Sequence, residues 1–158
     1  MNSTSCSSCG AKDVGLMIIR VGVGACFIAH GLSKIHLDQP QWGLAMMGGA
    51  VEYLGIHSHF AMWGLLNVLA EAGGGVLLVL GFLVRPAAFA MALNMIVAIN
   101  FHLHSTIPHM NEFAMWSHAL EDGIVFLGLL LAGGGGCSMD AKLFGHTALP
   151  ALRDPPKM

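Results

Sequence analysis

The chain has 158 residues, of which 55% are hydrophobic and only 10% charged, and its net charge is −2. Soluble domains carry about 25% charged residues, so this composition argues against a water-soluble globular domain. The small negative charge gives no basis for a nucleic-acid partner. The 21 glycines suit helices packed in lipid, where small residues let backbones approach closely.

In chain order, Met1 to Asp13 is polar and serine-rich and reads as a flexible tail over residues 1–13. Cys6-Ser-Ser-Cys9 is a CxxC, but it lies in this tail and not at a helix start after a strand, so it carries little weight as a redox or metal motif. The first apolar run, about Val14 to Ile35, has full spanning length and is expected to be retained, not cleaved as a signal. Cys26 within it reads as a small packing residue. Arg20, His30 and Lys34 share one broad helical face at about 100° per residue. Hydrocarbon penalises an arginine heavily, so this face is expected to point into the bundle. Arg20 needs an anionic partner, with Glu71, Glu121 and Asp122 as candidates. The plain alternative is a structural ion pair that fixes helix packing.

From His36 to Phe60 no run is long enough to span. Trp42 to Leu54 is apolar enough to lie at the membrane interface or dip into the bundle. Trp42, Tyr53, Trp63 and Trp116 suit the headgroup layer. The second span, about Ala61 to Val84, carries Asn67 and Glu71 at i and i+4, on one face. Glu71 falls near mid-membrane, where a carboxyl is either paired with a cation or neutral. Proton relay or quinone hydrogen bonding competes there with a plain ion pair to Arg20 or Lys34. Val84-Arg85-Pro86 is expected as a tight turn, with Pro86 suited to the first turn of the next helix. That third span, about Pro86 to Phe101, is short unless it continues through His104.

The fourth span, about Phe113 to Ala132, presents His118, Glu121 and Asp122 at i, i+3 and i+4. Together with His102 and His104, this face has the residue types that hold Fe, Zn, Mn or Cu, and two of its imidazoles could ligate a haem. A dimetal bundle, however, repeats its motif on two helices, and only one offers it here. The plain alternative is histidines bonding headgroups, water or backbone at the interface. The scattered methionines read as packing residues. Gly133 to Gly136 breaks the helix, and Pro150, Pro155 and Pro156 point to an extended tail.

The runs lack the alternation of barrel strands, so the expected fold is all-α: an integral membrane four-helix bundle over residues 14–136, with a re-entrant or interfacial helix between the first and second spans and a tail over residues 137–158. Four spans put both termini on one side with Lys12, Arg85, Lys142, Arg153 and Lys157, against Lys34 alone on the other. By the positive-inside rule the termini are cytoplasmic. The opposite, outward end gathers His30, His36, His57, His59, His102, His104, His109 and His118, leaving only His146 elsewhere.

The order of these features resembles the DoxX family of small membrane proteins. Arg20-Val-Gly-Val-Gly-Ala-Cys-Phe-Ile-Ala-His30-Gly31-Leu-Ser-Lys34 is similar to the opening helix of that family. Ala70-Glu71-Ala-Gly-Gly-Gly75 followed by Arg85 resembles its second helix and turn. Asn111-Glu112-Phe113 resembles the start of its last helix, and the closing glycines with Cys137-Ser138-Met139-Asp140 its terminal turn. The resemblance covers roughly Val14 to Asp140. It implies four transmembrane helices in a bacterial or archaeal inner membrane, and relatives that include the membrane subunit of thiosulfate:quinone oxidoreductase. His118, Glu121, Asp122 and the extra histidines depart from the usual pattern.

Residues and resemblance together lead to an expected membrane subunit of a quinone-linked redox system, with an outward polar site. Glu71, His118 and Glu121 would act chemically. Arg20, His30, Lys34 and Asn67 would bind the cofactor, a quinone. A metal or haem would draw on His102, His104, His118, Glu121 and Asp122. The alternatives are a non-catalytic scaffold subunit and a metal-binding membrane protein. Expected partners are lipids and either other subunits of a redox complex or further copies of the chain.

Overall fold

The computed structural model describes residues 10–35, 40–104 and 112–144. Helix α1 is Ala11–Ser33. Helix α2, Pro40–Gly48, runs into a 3-10 segment, Gly49–Leu54, that stops at Gly55 with φ 80°. Helix α3 is Phe60–Leu80, with a π-helical turn, Leu69–Gly73, in its middle. Helices α4, Val84–His104, and α5, Glu112–Ala132, follow, and a short α6, Met139–Phe144, closes the described chain. The helices α1, α3, α4 and α5 are long and apolar enough to cross a membrane, and no strand occurs among the described residues. The protein is therefore an all-α bundle of four membrane-spanning helices, with α2 too short to span.

Hydrocarbon gives apolar side chains no reason to leave it, so helices in lipid associate through close packing and internal polar contacts. The outer surface reflects this: Ile18, Ile96 and Ile124 are each more than half exposed. Inside, α4 packs along α5, α1 packs on the second half of α3, and α2 packs on its first half. Phe126, Leu78, Met91 and Leu129 fill the centre. Phe27 of α1 meets Phe126 of α5 edge to face at 4.9 Å, a favoured aromatic geometry.

Glycine sets the closest approaches. A Cβ on Gly75 would lie 2.6 Å from the Gly24 carbonyl oxygen, and one on Gly24 would lie 2.7 Å from that of Gly75. Backbone therefore touches backbone where α1 crosses α3. Gly48 and Gly64 do the same for α2, against the Phe60 and Leu44 carbonyls respectively.

The end that holds residues 10–20, 78–85 and 131–142 is closed by charged caps. The Asp140 carboxylate accepts from the Leu83 and Val84 N–H groups at 2.8 and 2.9 Å, satisfying donors at the start of α4. Asp13 accepts from the N–H groups of Gly136 at 2.6 Å and Gly10 at 3.1 Å. Arg85 donates to the Leu131 carbonyl at 3.2 Å, near the end of α5.

Several boundaries differ from the sequence expectation, beginning with α1, which opens at Ala11 inside the stretch 1–13 expected as a tail. The second span stops at Leu80, because Gly81 takes a left-handed conformation (φ 68°) that ends the helix. The turn is thus 81–83, and Val84 and Arg85 open α4, with Pro86 in its first turn as expected. Helix α4 continues through His104 and so reaches spanning length. Met139–Phe144 forms α6 within the expected tail, and Pro150, Pro155 and Pro156, on which the extended expectation rested, lie outside the described residues. The CxxC, His36, His109 and His146 lie outside the described residues.

Candidate functional site

The site is built around Lys34 and Glu71. Lys34 sits at the end of α1, and the close crossing of Gly24 on Gly75 brings α1 against the middle of α3. Lys34 Nζ donates to Glu71 Oε1 at 2.6 Å and to Asn67 Oδ1 at 3.1 Å. Asn94 Nδ2 of α4 donates to the same Oε1 at 2.9 Å. The Glu71 side chain is 3% exposed and that of Lys34 18%, so this is a largely desolvated ion pair. Such a pair holds only when other hydrogen bonds complete it, and Asn67 and Asn94 supply them.

Glu71 lies in the π turn. A π turn inserts an extra residue into the helix, and such turns recur at functional sites. Its Oε2 is buried and has no hydrogen-bond partner among the described residues. A buried carboxylate oxygen left unpaired costs roughly 1–3 kcal/mol or more, so it marks a position where a donor from outside the chain would be favourable.

A groove of about 640 Å³ runs between α1 and α5, with α4 behind it. Towards the termini its walls are apolar: Ile18, Ile19, Gly22 and Val23 from α1, facing Val125 from α5. Cys26, an exposed free thiol, lies between the two halves. At the other end the walls turn polar, with His30, Lys34, Glu71, His102, His118 and Asp122. The Nδ1 atom of His102 is also buried and has no hydrogen-bond partner among the described residues. Asp122 lies within electrostatic reach of His118, His30 and Glu71. An elongated cavity with an apolar length and convergent polar groups at one end is the form of a site for an amphiphile.

Several expected members fall elsewhere. Arg20 is 2% exposed but belongs to the opposite end of α1. It donates to the Leu78 carbonyl at 3.4 Å and to that of Cys137, and the acid in its neighbourhood is Asp140, not Glu71, Glu121 or Asp122. It closes the end of α3 onto the segment before α6. The α1 face that carries Arg20, His30 and Lys34 is so long that its two ends serve different purposes. Glu121 is exposed and does not line the groove, whereas Asp122, one residue on, does. His104 is exposed, stacks on Tyr53 at 5.6 Å and shares a 2.8 Å contact with the Asn100 carbonyl. The five expected metal ligands are thereby divided, and among the described residues no three of His, Cys, Asp or Glu form a group that could hold a metal. His57 stands by Glu52, 3.9 Å away, outside the groove.

Sequence reasoning missed Asn94, the second donor to Glu71. Its signal was a lone amide in an apolar run, eight residues before His102. The π turn left no sequence signal beyond the following glycines.

The DoxX family model matches residues 15–105, from within α1 to the end of α4. The chain belongs to the DoxX family. A protein of Haemophilus influenzae, described as an uncharacterized protein, is 31% identical over 138 residues, covering 82% of this chain and 90% of that relative. No solved structure matches. DoxX proteins are membrane proteins often linked to redox or quinone-associated systems. In this DoxX protein, α5 lies beyond the matched residues and contributes His118 and Asp122, so two of the six polar groups at that end of the groove stand outside the matched stretch.

Proposed function

We propose that this protein is a membrane subunit of a quinone-linked redox system and that the groove between α1 and α5 holds a quinone-type amphiphile. Its ring would lie at the polar end, among His30, Lys34, Glu71, His102, His118 and Asp122, and its tail along the apolar walls. What supports this reading is that Glu71, whose buried Oε2 has no hydrogen-bond partner among the described residues, lines the polar end of a groove whose other end is apolar. The family link to quinone-associated systems supports it. Imidazole suits the head position because it titrates near neutral pH and can donate or accept.

In this reading Glu71 and His118 meet the ligand, Lys34 holds Glu71 in place with Asn67, and Arg20 holds the fold. A metal or haem has no part in it. The protein would sit in the inner membrane with cytoplasmic termini and the polar end outward, in contact with lipid and with further subunits that supply electrons.

The test is binding of decylubiquinone to protein purified in mild detergent, read as protection of Cys26 from a maleimide and located by mass spectrometry. Protection is expected in the wild type. Gly22→Leu, which places a side chain where a Cβ on Gly22 would meet nothing within 4 Å, should fill the apolar part and abolish it while the protein stays folded. In the purified complex, quinone-reductase turnover should fall in both His118→Ala and Glu71→Gln. Saturating quinone that leaves Cys26 labelling unchanged, with turnover unaltered in both variants, would end this reading.

A further inference from the structure

The polar end of the groove is not neutral between the two redox forms of such a ligand. We infer, resting on the quinone reading above, that the groove prefers the hydroxyl-bearing, reduced form, a quinol, over the quinone. The observation that carries this is the state of Glu71. Its Oε1 receives Lys34 Nζ and Asn94 Nδ2, while its Oε2 is buried, lines no hydrogen bond and belongs to a side chain 3% exposed. A carboxylate held in an ion pair has lone pairs and no proton to give. It can only accept.

A quinone head carries carbonyl oxygens, which also only accept. Set beside Oε2, such an oxygen would oppose lone pair to lone pair and leave both unsatisfied in a dry site. A quinol carries O–H groups, and one of them would donate to Oε2 and complete the set of bonds to Glu71. Sites built to receive a hydroxyl reject the analogue that lacks it far more strongly than apolar sites reject a change of size.

The other groups at this end do not reverse the preference. His30, His102 and His118 each donate or accept according to tautomer, so they serve a hydroxyl and a carbonyl alike. Lys34 has one proton left after Glu71 and Asn67, and either head oxygen could receive it. Asp122, where ionised, only accepts and so acts in the same direction as Glu71. Discrimination therefore falls on the carboxylates, and Glu71 is the one fixed by three partner side chains' worth of geometry: Lys34, Asn67 through Lys34, and Asn94.

The experiment compares decylubiquinone with decylubiquinol, kept anaerobic, in protection of Cys26 on the purified full chain. The quinol is expected to protect at a concentration at least about tenfold lower. In Glu71→Gln, which is isosteric and places an amide donor or acceptor at the former Oε2, that ratio should collapse towards one or invert. A wild-type ratio of one, or tighter binding of the quinone, would overturn the inference and leave the quinone reading standing. No protection by either form would overturn both. The wild-type comparison decides the matter even where the Glu71→Gln protein is unstable.

Discussion

A single desolvated ion pair shows how one residue can be needed for both fold and site. Lys34 is the cation for Glu71, and removing it would strand a buried carboxylate. Breaking a buried pair from one side costs about 3–5 kcal/mol, whereas replacing both partners with apolar residues is often neutral. Lys34→Met should therefore lower the thermal unfolding temperature in detergent markedly. Lys34→Met combined with Glu71→Leu should recover most of the loss while binding no quinol. A double variant as unstable as the single one would mean that the pair is not what destabilises the single variant. Arg20 makes the complementary case. It is as buried as Glu71, yet its partners are the Leu78 and Cys137 carbonyls at the far end of the bundle. Hydrogen bonds from a charged donor contribute about 1.5–3 kcal/mol, so Arg20→Met should lose on the order of 3 kcal/mol in the same unfolding assay. Its Cys26 protection by ligand, measured below the unfolding transition, should match the wild type. Loss of protection in the folded variant would return Arg20 to the site.

At the level of elements, the spans were legible because hydrocarbon demands about 20 apolar residues and the chain supplies that run four times. The short helix α2 was legible for the converse reason, an apolar stretch too short to cross. The pairing of Lys34 with Glu71 was among the expected alternatives, since each needs an opposite charge and they approach the same end from adjacent helices. Three things were not legible. Helix phase decides whether Glu121 or Asp122 turns inward, and i+3 and i+4 are both permitted by spacing alone. The π turn at Glu71 shifts the phase of α3 through backbone hydrogen bonds that no side chain announces. The depth of Arg20 depends on which carbonyls the Gly81 turn leaves open. Glycine packing, by contrast, gives a sharp expectation. A Cβ at Gly75 must displace the Gly24 carbonyl, so Gly75→Ala should cost about 1–3 kcal/mol of overpacking strain. It should also weaken ligand binding by moving Lys34 away from Glu71. Gly15→Ala meets nothing within 4 Å and should be neutral or stabilise α1 by up to about 1 kcal/mol. Equal unfolding temperatures for the two variants would show that α1 and α3 do not rely on this contact.

For the molecule as a whole, the side of the membrane that receives the polar end has the most consequence, because that side would exchange protons with the ligand. Two physical signals bear on it and they oppose each other. Lys12, Arg85 and Lys142 lie with the termini while Lys34 is alone at the other end, and the positive-inside rule follows from how the chain is inserted. Yet Cys137, on the same side as the termini, is disulfide-bonded, and disulfides persist in oxidising compartments. The charge asymmetry acts before the bundle exists and fixes the topology, whereas a bridge forms or opens afterwards according to where the topology leaves it. On the charge asymmetry the termini are expected in the cytoplasm. Exposed positions at the two ends give the measurement. A membrane-impermeant maleimide added to intact cells should label Ser58→Cys, and should label Lys142→Cys only after permeabilisation, each read by mass spectrometry of its own peptide. Labelling in the reverse order would turn the protein over and place the groove's polar end in the cytoplasm.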